Sequence, residues 1–290
     1  MAQALDMAQV DKSLENFVIP PRPDLLIRLQ AEIDKPEPSI INIASIVEQD
    51  LAISEFTLKV VNSPLFAANR EIKTINHACS ILGLTKLTKV ITSIILRYTF
   101  LNEEEPQSFN SKLWNSAAII ADACFAIGQF IDAESPDDAY TIGMFHNAGM
   151  SLIIEQQPNY PDILYNAHMQ TEMPIGLYEE EAIDTSHEVL GFLIAQNWGL
   201  DHIISNVIAY HHSPSIILNT GSYTEKQLFC ILKLAEHMVN LPAMLVNGHD
   251  VYEWEKISHQ VLDILEIEDY QLHDLGELLF GFGVKTIYHS

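Results

Sequence analysis

Apolar residues recur at three- and four-residue steps through LTKLTKVITSIILRYTF (84–100), the repeat that lines one face of an α-helix. In AAIIADACFAIGQFI (117–131) and LGFLIAQNWGL (190–200) they cover most of the helical circumference, which predicts helices packed on several sides. Strand alternation flanked by hairpin dipeptides is absent. The pattern predicts an all-α protein of many helices.

The polar and helix-breaking positions agree with that reading. Pro20, Pro21 and Pro23 precede a helix expected at about 23–34, and Ser63-Pro64 stops another. Gly83 and Gly199 suit helix C-termini, and Asp201 is placed to N-cap a helix running to His211. Thr185-Ser186-His187-Glu188 has capping-box spacing, with Thr185 as the expected N-cap and His187 in the first turn. Thr224 with Gln227 offers a similar start for the helix that carries Glu236. The most polar break in the first half, NEEEPQSFNS (102–111), reads as an exposed inter-helix loop or as a domain boundary, and it sets the expected division into residues 1–105 and 106–290.

Composition narrows the function classes. A chain of 290 residues with 48% hydrophobic and 19% charged residues has the makeup of a globular protein, of two domains or one large one. No uninterrupted apolar run approaches the roughly 18 residues of a bilayer span, and the start MAQALDMAQVDKS lacks the basic and hydrophobic blocks of a signal peptide. A cytoplasmic protein is expected. Cys79, Cys124 and Cys230, odd in number and set among apolar neighbours, fit reduced core thiols rather than disulfides. The net charge of −24, from 39 Asp and Glu against 15 Lys and Arg, repels nucleic acid and anionic membranes, and neither is an expected partner.

Among the histidines, His168, His249, His259, His273 and His289 have polar or terminal surroundings and read as solvated surface. His146, His187, His211 and His212 are set in apolar sequence instead. In GMFHNAGMSL (143–152), His146 and Asn147 stand among small and apolar residues, either as a ligand pair or as a hydrogen-bonded core pair. His187-Glu188 begins like a zincin motif, but Gly191 replaces the second histidine. Gly281 and Gly283 follow a helical pattern with no strand before them, which excludes a dinucleotide loop. Trp114 and Trp198 read as packing residues.

Taken together, VIPPRPDLLIRLQAEID (18–34), IASIVEQDLAISEFTLKVVNSPLFA (43–67), INHACSILGLTKLTKVI (75–91), DAYTIGMFHNAGMSLI (138–153), HEVLGFLIAQNWGLDHIISNVIAYHHSP (187–214) and LAEHM (234–238) resemble the HDOD proteins. These are bacterial signalling proteins related to the HD superfamily of metal phosphohydrolases. The resemblance implies an N-terminal helical subdomain packed on an HD-like helical subdomain.

It also implies a site. The active HD enzymes hold two metals with an early histidine, an adjacent His-Asp pair, often further histidines, and a late aspartate. Paired hard cations need anionic carboxylates to offset their charge. Carried over, the His-Asp pair becomes His146-Asn147, the early histidine falls at or beside Asn115, and the late aspartate maps to Glu236. The lysine that often follows the motif's glycine is Met150. What remains is His146, His187, His211 or His212, and Glu236, a set suited to no cofactor or to one divalent transition metal. The expected function is a non-catalytic signal-transduction module that binds a signalling protein or small ligand; self-association into a homo-oligomer is a further arrangement. The alternative is a metal-dependent phosphohydrolase acting on a phosphomonoester, nucleotide or cyclic dinucleotide.

Overall fold

The computed structural model describes residues 7–66, 71–101, 108–170, 173–247 and 252–288. All regular structure among them is helical. The chain opens with α1 (Met7–Asn16) and continues with α2 (Asp24–Ile33), α3 (Ile40–Glu48), α4 (Leu51–Val61), α5 (Ile75–Leu82) and α6 (Leu84–Phe100). There follow α7 (Phe109–Phe130), α8 (Pro136–Phe145), α9 (Gly149–Gln156), α10 (Tyr160–Met169), α11 (Ile175–Ile183) and α12 (His187–Asn197). The last third holds α13 (His202–Ala209), α14 (Pro214–Thr220), α15 (Tyr223–Val239), α16 (Leu241–Val246), α17 (Tyr252–Leu265) and α18 (Gln271–Gly281).

Two compact units divide the chain: Pro21–Phe100 forms one, and Met1–Pro20 with Leu101–Ser290 forms the other. The expected boundary at 105/106 lies outside the described residues. The first twenty residues, assigned to the N-terminal subdomain from sequence, group with the later helices. The reason is packing: α1 lies against α12, Val10 and Phe17 are buried, and Ser13 and Thr185 share a 2.8 Å hydroxyl hydrogen bond.

In the smaller unit, α3, α4, α5 and α6 surround a core that includes Ile43, Val47, Ile75 and Leu87. Gly83, at φ +78°, lets the chain turn from α5 straight into α6, a conformation that costs an L-residue strain.

In the larger unit α7 is the spine, packed along α8 and α15 with Trp114, Ile120 and Phe125 fully buried. Each such side chain stabilises the fold by about 1.5–3 kcal/mol. Among the described residues α7 alone is long and apolar enough to cross a membrane, and 67% of that stretch is buried inside the protein, as in a core helix. The three cysteines are buried and unpaired, and burial raises their thiol pKa values, to about 11 at Cys79 and about 12 at Cys230.

Several caps differ from expectation by a residue or two. Ser186, rather than Thr185, N-caps α12 by accepting the Val189 N–H, because the Thr185 hydroxyl is committed to Ser13. Ser222 N-caps α15 in a capping box closed by Glu225, two residues before the expected Thr224 start. Asp201 caps α13 as expected, yet that helix ends at Ala209 and leaves His211 and His212 in a turn. This difference shapes the site.

Candidate functional site

All the residues of interest lie in the larger unit. His146 is the last residue of the α8 hydrogen-bond ladder, Asn147 follows in the turn to α9, and His187 opens α12. Lys233 and Glu236 occupy one face of α15 at i, i+3, and Glu253 lies on the first turn of α17. Close backbone approach brings the first two elements together. A Cβ on Gly149 would lie 2.2 Å from the His187 carbonyl oxygen, so α9 and α12 meet only because residue 149 has no side chain.

The imidazoles form one cluster. Ring centroids are 5.4 Å apart for His146 and His211, 5.0 Å for His187 and His211, and 4.3 Å for His211 and His212. On a continuing helix two adjacent side chains would diverge by about 100°. Because α13 stops short, both His211 and His212 face the cluster. His146, His187 and His211 are 0% exposed and His212 is 7% exposed.

Each ring has its Nδ1 anchored. His146 donates to the Gly143 carbonyl at 2.8 Å, and His211 donates to the Ile208 carbonyl at 2.7 Å. His187 donates to the Glu179 carboxylate at 2.7 Å, and His212 donates to Glu253 at 3.0 Å. A carbonyl can only accept, so His146 and His211 carry their proton on Nδ1 and present a bare Nε2 lone pair inward.

Two acceptor–acceptor approaches result. His187 Nε2 and His211 Nε2 are 3.1 Å apart, and His146 Nε2 is 3.4 Å from Glu236 Oε1. A proton on His187 closes the first, since Glu179 favours the imidazolium. Burial opposes that charge, but the Glu179 carboxylate and its hydrogen bond outweigh burial and raise the His187 pKa. No such proton closes the second. Burial first, then Lys233 and His187, lower the His146 pKa to about 4 against the pull of Glu236. The 3.4 Å approach is therefore not an ion pair, and His146 Nε2, Glu236 Oε1 and the neighbouring Asn147 Oδ1 all lack a hydrogen-bond partner. Burial likewise keeps His211 and His212 neutral, with their pKa values well below the usual range.

Glu236 is compensated on its other oxygen. The buried Lys233 ammonium donates to Glu236 Oε2 at 2.9 Å and reaches Glu253 Oε2 at 3.3 Å. A cavity of about 190 Å³ opens beside this pair, with Asn147, His168, Lys233, Glu236 and Glu253 on its polar side. On its apolar side stand Leu241, Leu245, Ile257 and Trp254, whose indole stacks on His237 at 4.1 Å.

The residues expected from sequence divide accordingly. His146, Asn147, His187, His211, His212 and Glu236 converge. Asn115 does not: it is exposed on α7, because the neighbouring Trp114 takes the inward position and donates its indole N–H to Ser151 at 3.1 Å. His168, read as surface, instead lines the cavity, and burial lowers its pKa to about 4. His259 and His273 are exposed as expected, whereas His249 and His289 lie outside the described residues.

Sequence reading missed Glu179, Lys233 and Glu253, and it weighed Glu188 only as part of a capping box and of a zincin-like start. Glu179 lies in a run of three glutamates that reads as a solvated face, yet it is fully buried and also accepts the Tyr160 hydroxyl at 2.5 Å. The available signal was Lys233, a cation inside the otherwise apolar LFCILKLA three residues before Glu236.

The donor set separates two kinds of metal site. A pair of hard cations fits poorly: Asn147 offers a neutral amide where it would need a carboxylate, and an ammonium already occupies one oxygen of Glu236. One nitrogen-favouring ion fits better. His187, His211 and His212 offer ligand atoms within 4.8 Å of one another, which departs from the expected His146, His187, His211 and Glu236 set. The 3.1 Å between Nε2 of His187 and His211 is close to the roughly 3.3 Å edge of a tetrahedron with bonds of about 2.0–2.1 Å. Their anchored Nδ1 atoms are the outer contacts that orient imidazole ligands.

The sequence matches the HDOD domain family over residues 19–214. An uncharacterised protein of Treponema pallidum is 25% identical over 256 residues, 87% of this chain and 47% of its own length, so the chain spans about half of that relative. Among solved structures, an HDOD domain protein of unknown function from Geobacter sulfurreducens has a TM-score of 0.60 at 20% identity, covering 93% of this chain and 97% of that one. A protein designated a candidate metal-dependent phosphohydrolase from Shewanella amazonensis reaches 0.66 at 16% identity, covering 95% and 96%. At such identities the likeness is one of fold, and the chemistry rests on the site.

Proposed function

The chain belongs to the HDOD domain family, and from that premise we propose that it is a non-catalytic regulatory module whose cleft binds a small ligand or a signalling partner rather than hydrolysing a phosphoester. The observation that carries this reading is the pairing of Asn147 with Lys233. Where two-metal hydrolysis needs bridging carboxylates, the cleft has a neutral amide, and its remaining late carboxylate is held by the protein's own ammonium at 2.9 Å.

If a divalent transition ion is taken up, His187, His211 and His212 would hold it through nitrogen. Such an ion would supply Lewis acidity, while Glu179, the Ile208 carbonyl and Glu253 orient the three rings. With neutral ligands only, its charge would not be offset, which suits a structural or sensory role over phosphoryl chemistry.

Elemental analysis of the full chain, paired with turnover on a generic phosphodiester in added Mn²⁺ or Mg²⁺, tests the reading. At most one metal per chain and no metal-stimulated turnover are expected. Two equivalents of metal, with turnover abolished by His146→Ala, would establish the phosphohydrolase alternative instead.

A further inference from the structure

Part of the cavity wall comes from a segment outside any helix. Gly283, at φ +86°, turns the chain out of α18, and residues 284–288 lead back to α15 without helical structure. The segment is fixed at its start: Val284 is 3% exposed and its N–H donates to the Leu279 carbonyl at 2.9 Å. Its far end is held lightly. The Ile287 N–H donates to the Met238 carbonyl at 2.8 Å, the Tyr288 hydroxyl and His237 Nε2 share a hydrogen bond at 2.9 Å, and the Tyr288 carbonyl accepts from the exposed His273 ring at 3.2 Å. Ile287 lines the cavity yet is 51% exposed, so it stands at the rim.

The closed position is a defined seat. A Cβ on Gly276 would lie 2.9 Å from Tyr288 Cβ and 3.3 Å from Thr286 Oγ1, so the segment rests on α18 at a residue that has no side chain. Closure also carries a cost, because Thr286 Oγ1 is buried without a hydrogen-bond partner, and water satisfies it once the segment lifts. Backbone held by a few surface hydrogen bonds and one half-exposed apolar side chain opens locally at lower free energy than the packed helices beneath it. What opening uncovers is specific. His237 stacks on Trp254 with ring centroids 4.1 Å apart and planes inclined by 9°, and both rings line the cavity.

We propose that residues 285–288 are a hinged flap, anchored at Val284 and latched by Tyr288 on His237, whose opening admits molecules to the apolar side of the cavity. The inference goes beyond the binding-module reading and holds whatever the cleft recognises. It assigns the part of the wall that moves and the contact that keeps it shut.

Amide exchange followed by NMR and acrylamide quenching of tryptophan fluorescence, both on the full chain, test the proposal. In the unaltered protein the Ile287 amide, corrected for its intrinsic rate, is expected to exchange about tenfold faster than that of Val284 or more. This reading needs no variant. Tyr288→Phe, which removes only the hydroxyl, should speed Ile287 about fivefold further and leave Val284 unchanged. Trp114 and Trp198 are 0% and 1% exposed, so quenching reads the partly buried Trp254. Its Stern–Volmer constant should rise about twofold or more in Tyr288→Phe and in Gly276→Ala, whose methyl displaces the flap while favouring the helix that bears it. Equal exchange at Ile287 and Val284 in the unaltered chain, a Tyr288→Phe variant that speeds both alike, or quenching unchanged in both variants would overturn the proposal.

Discussion

Replacing Glu179 with Gln should destabilise the larger unit strongly, although the residue lies within an acidic run that reads as surface. Its carboxylate is fully buried and receives three donors: the Tyr160 hydroxyl at 2.5 Å, the His187 backbone N–H at 2.8 Å and His187 Nδ1–H at 2.7 Å. Hydrogen bonds to a charged acceptor are worth about 1.5–3 kcal/mol each, and breaking a buried pair from one side costs about 3–5 kcal/mol. Gln can still accept two of the three bonds, so a loss of about 3 kcal/mol is expected. For a unit of this size that corresponds to a fall in Tm of about 6–12 °C.

The loss should depend on pH. The His187 pKa is raised in the folded state, so the pair's contribution is full below about pH 6.5, the unfolded value, and fades as pH rises through the raised folded value. Thermal unfolding followed by circular dichroism at pH 6 and at pH 9 reads both effects. Nitrogen NMR of His187 should show its pKa falling in the variant. A variant that melts within 2 °C of the parent at pH 6, or an unchanged His187 titration, would refute the reasoning.

Two further outcomes follow from the packing around the same cluster. Gly149→Ala would drive a methyl to 2.2 Å from the His187 carbonyl oxygen and 2.8 Å from the Gly191 nitrogen, and should cost about 3 kcal/mol in urea unfolding. Gly281→Ala, whose methyl meets nothing within 4 Å, is the control and should be neutral or slightly stabilising. The Glu188 carboxyl is pushed up to about 8 by burial, against the opposing pull of His187 and the His212 N–H, so its stabilising share is present at acid pH and lost as pH rises from about 4.5 through 8. Glu188→Gln removes that titration and should gain on the order of 3 kcal/mol relative to the parent between pH 5 and pH 8.5; parallel stability–pH curves would contradict it.

Much of the fold was legible because helices announce themselves through local periodicity. The stretch at 84–100 became α6 over the same residues, and the glycines at 83 and 199 adopt the positive φ expected of helix ends. The caps were less legible. Thr185 and Ser186 are both cap-forming types, and the Thr185 hydroxyl is taken up by a contact with Ser13, 172 residues away. The grouping of α1 with the later helices was hidden for the same reason, since it depends on contacts between segments far apart in the chain.

The sequence by itself determined the helical class, the HDOD resemblance and the adjacency of His146 and Asn147, because each is written in residue type and short-range spacing. It did not contain the company these residues keep. Only the tertiary structure decided that Asn115 faces outward while Trp114 faces in, that α13 stops at Ala209 so both His211 and His212 join the cluster, and that Lys233 carries the charge beside Glu236. Burial and hydrogen bonding fix protonation, charge balance and which lone pairs remain open, and all three arise where distant helices meet rather than along any one of them.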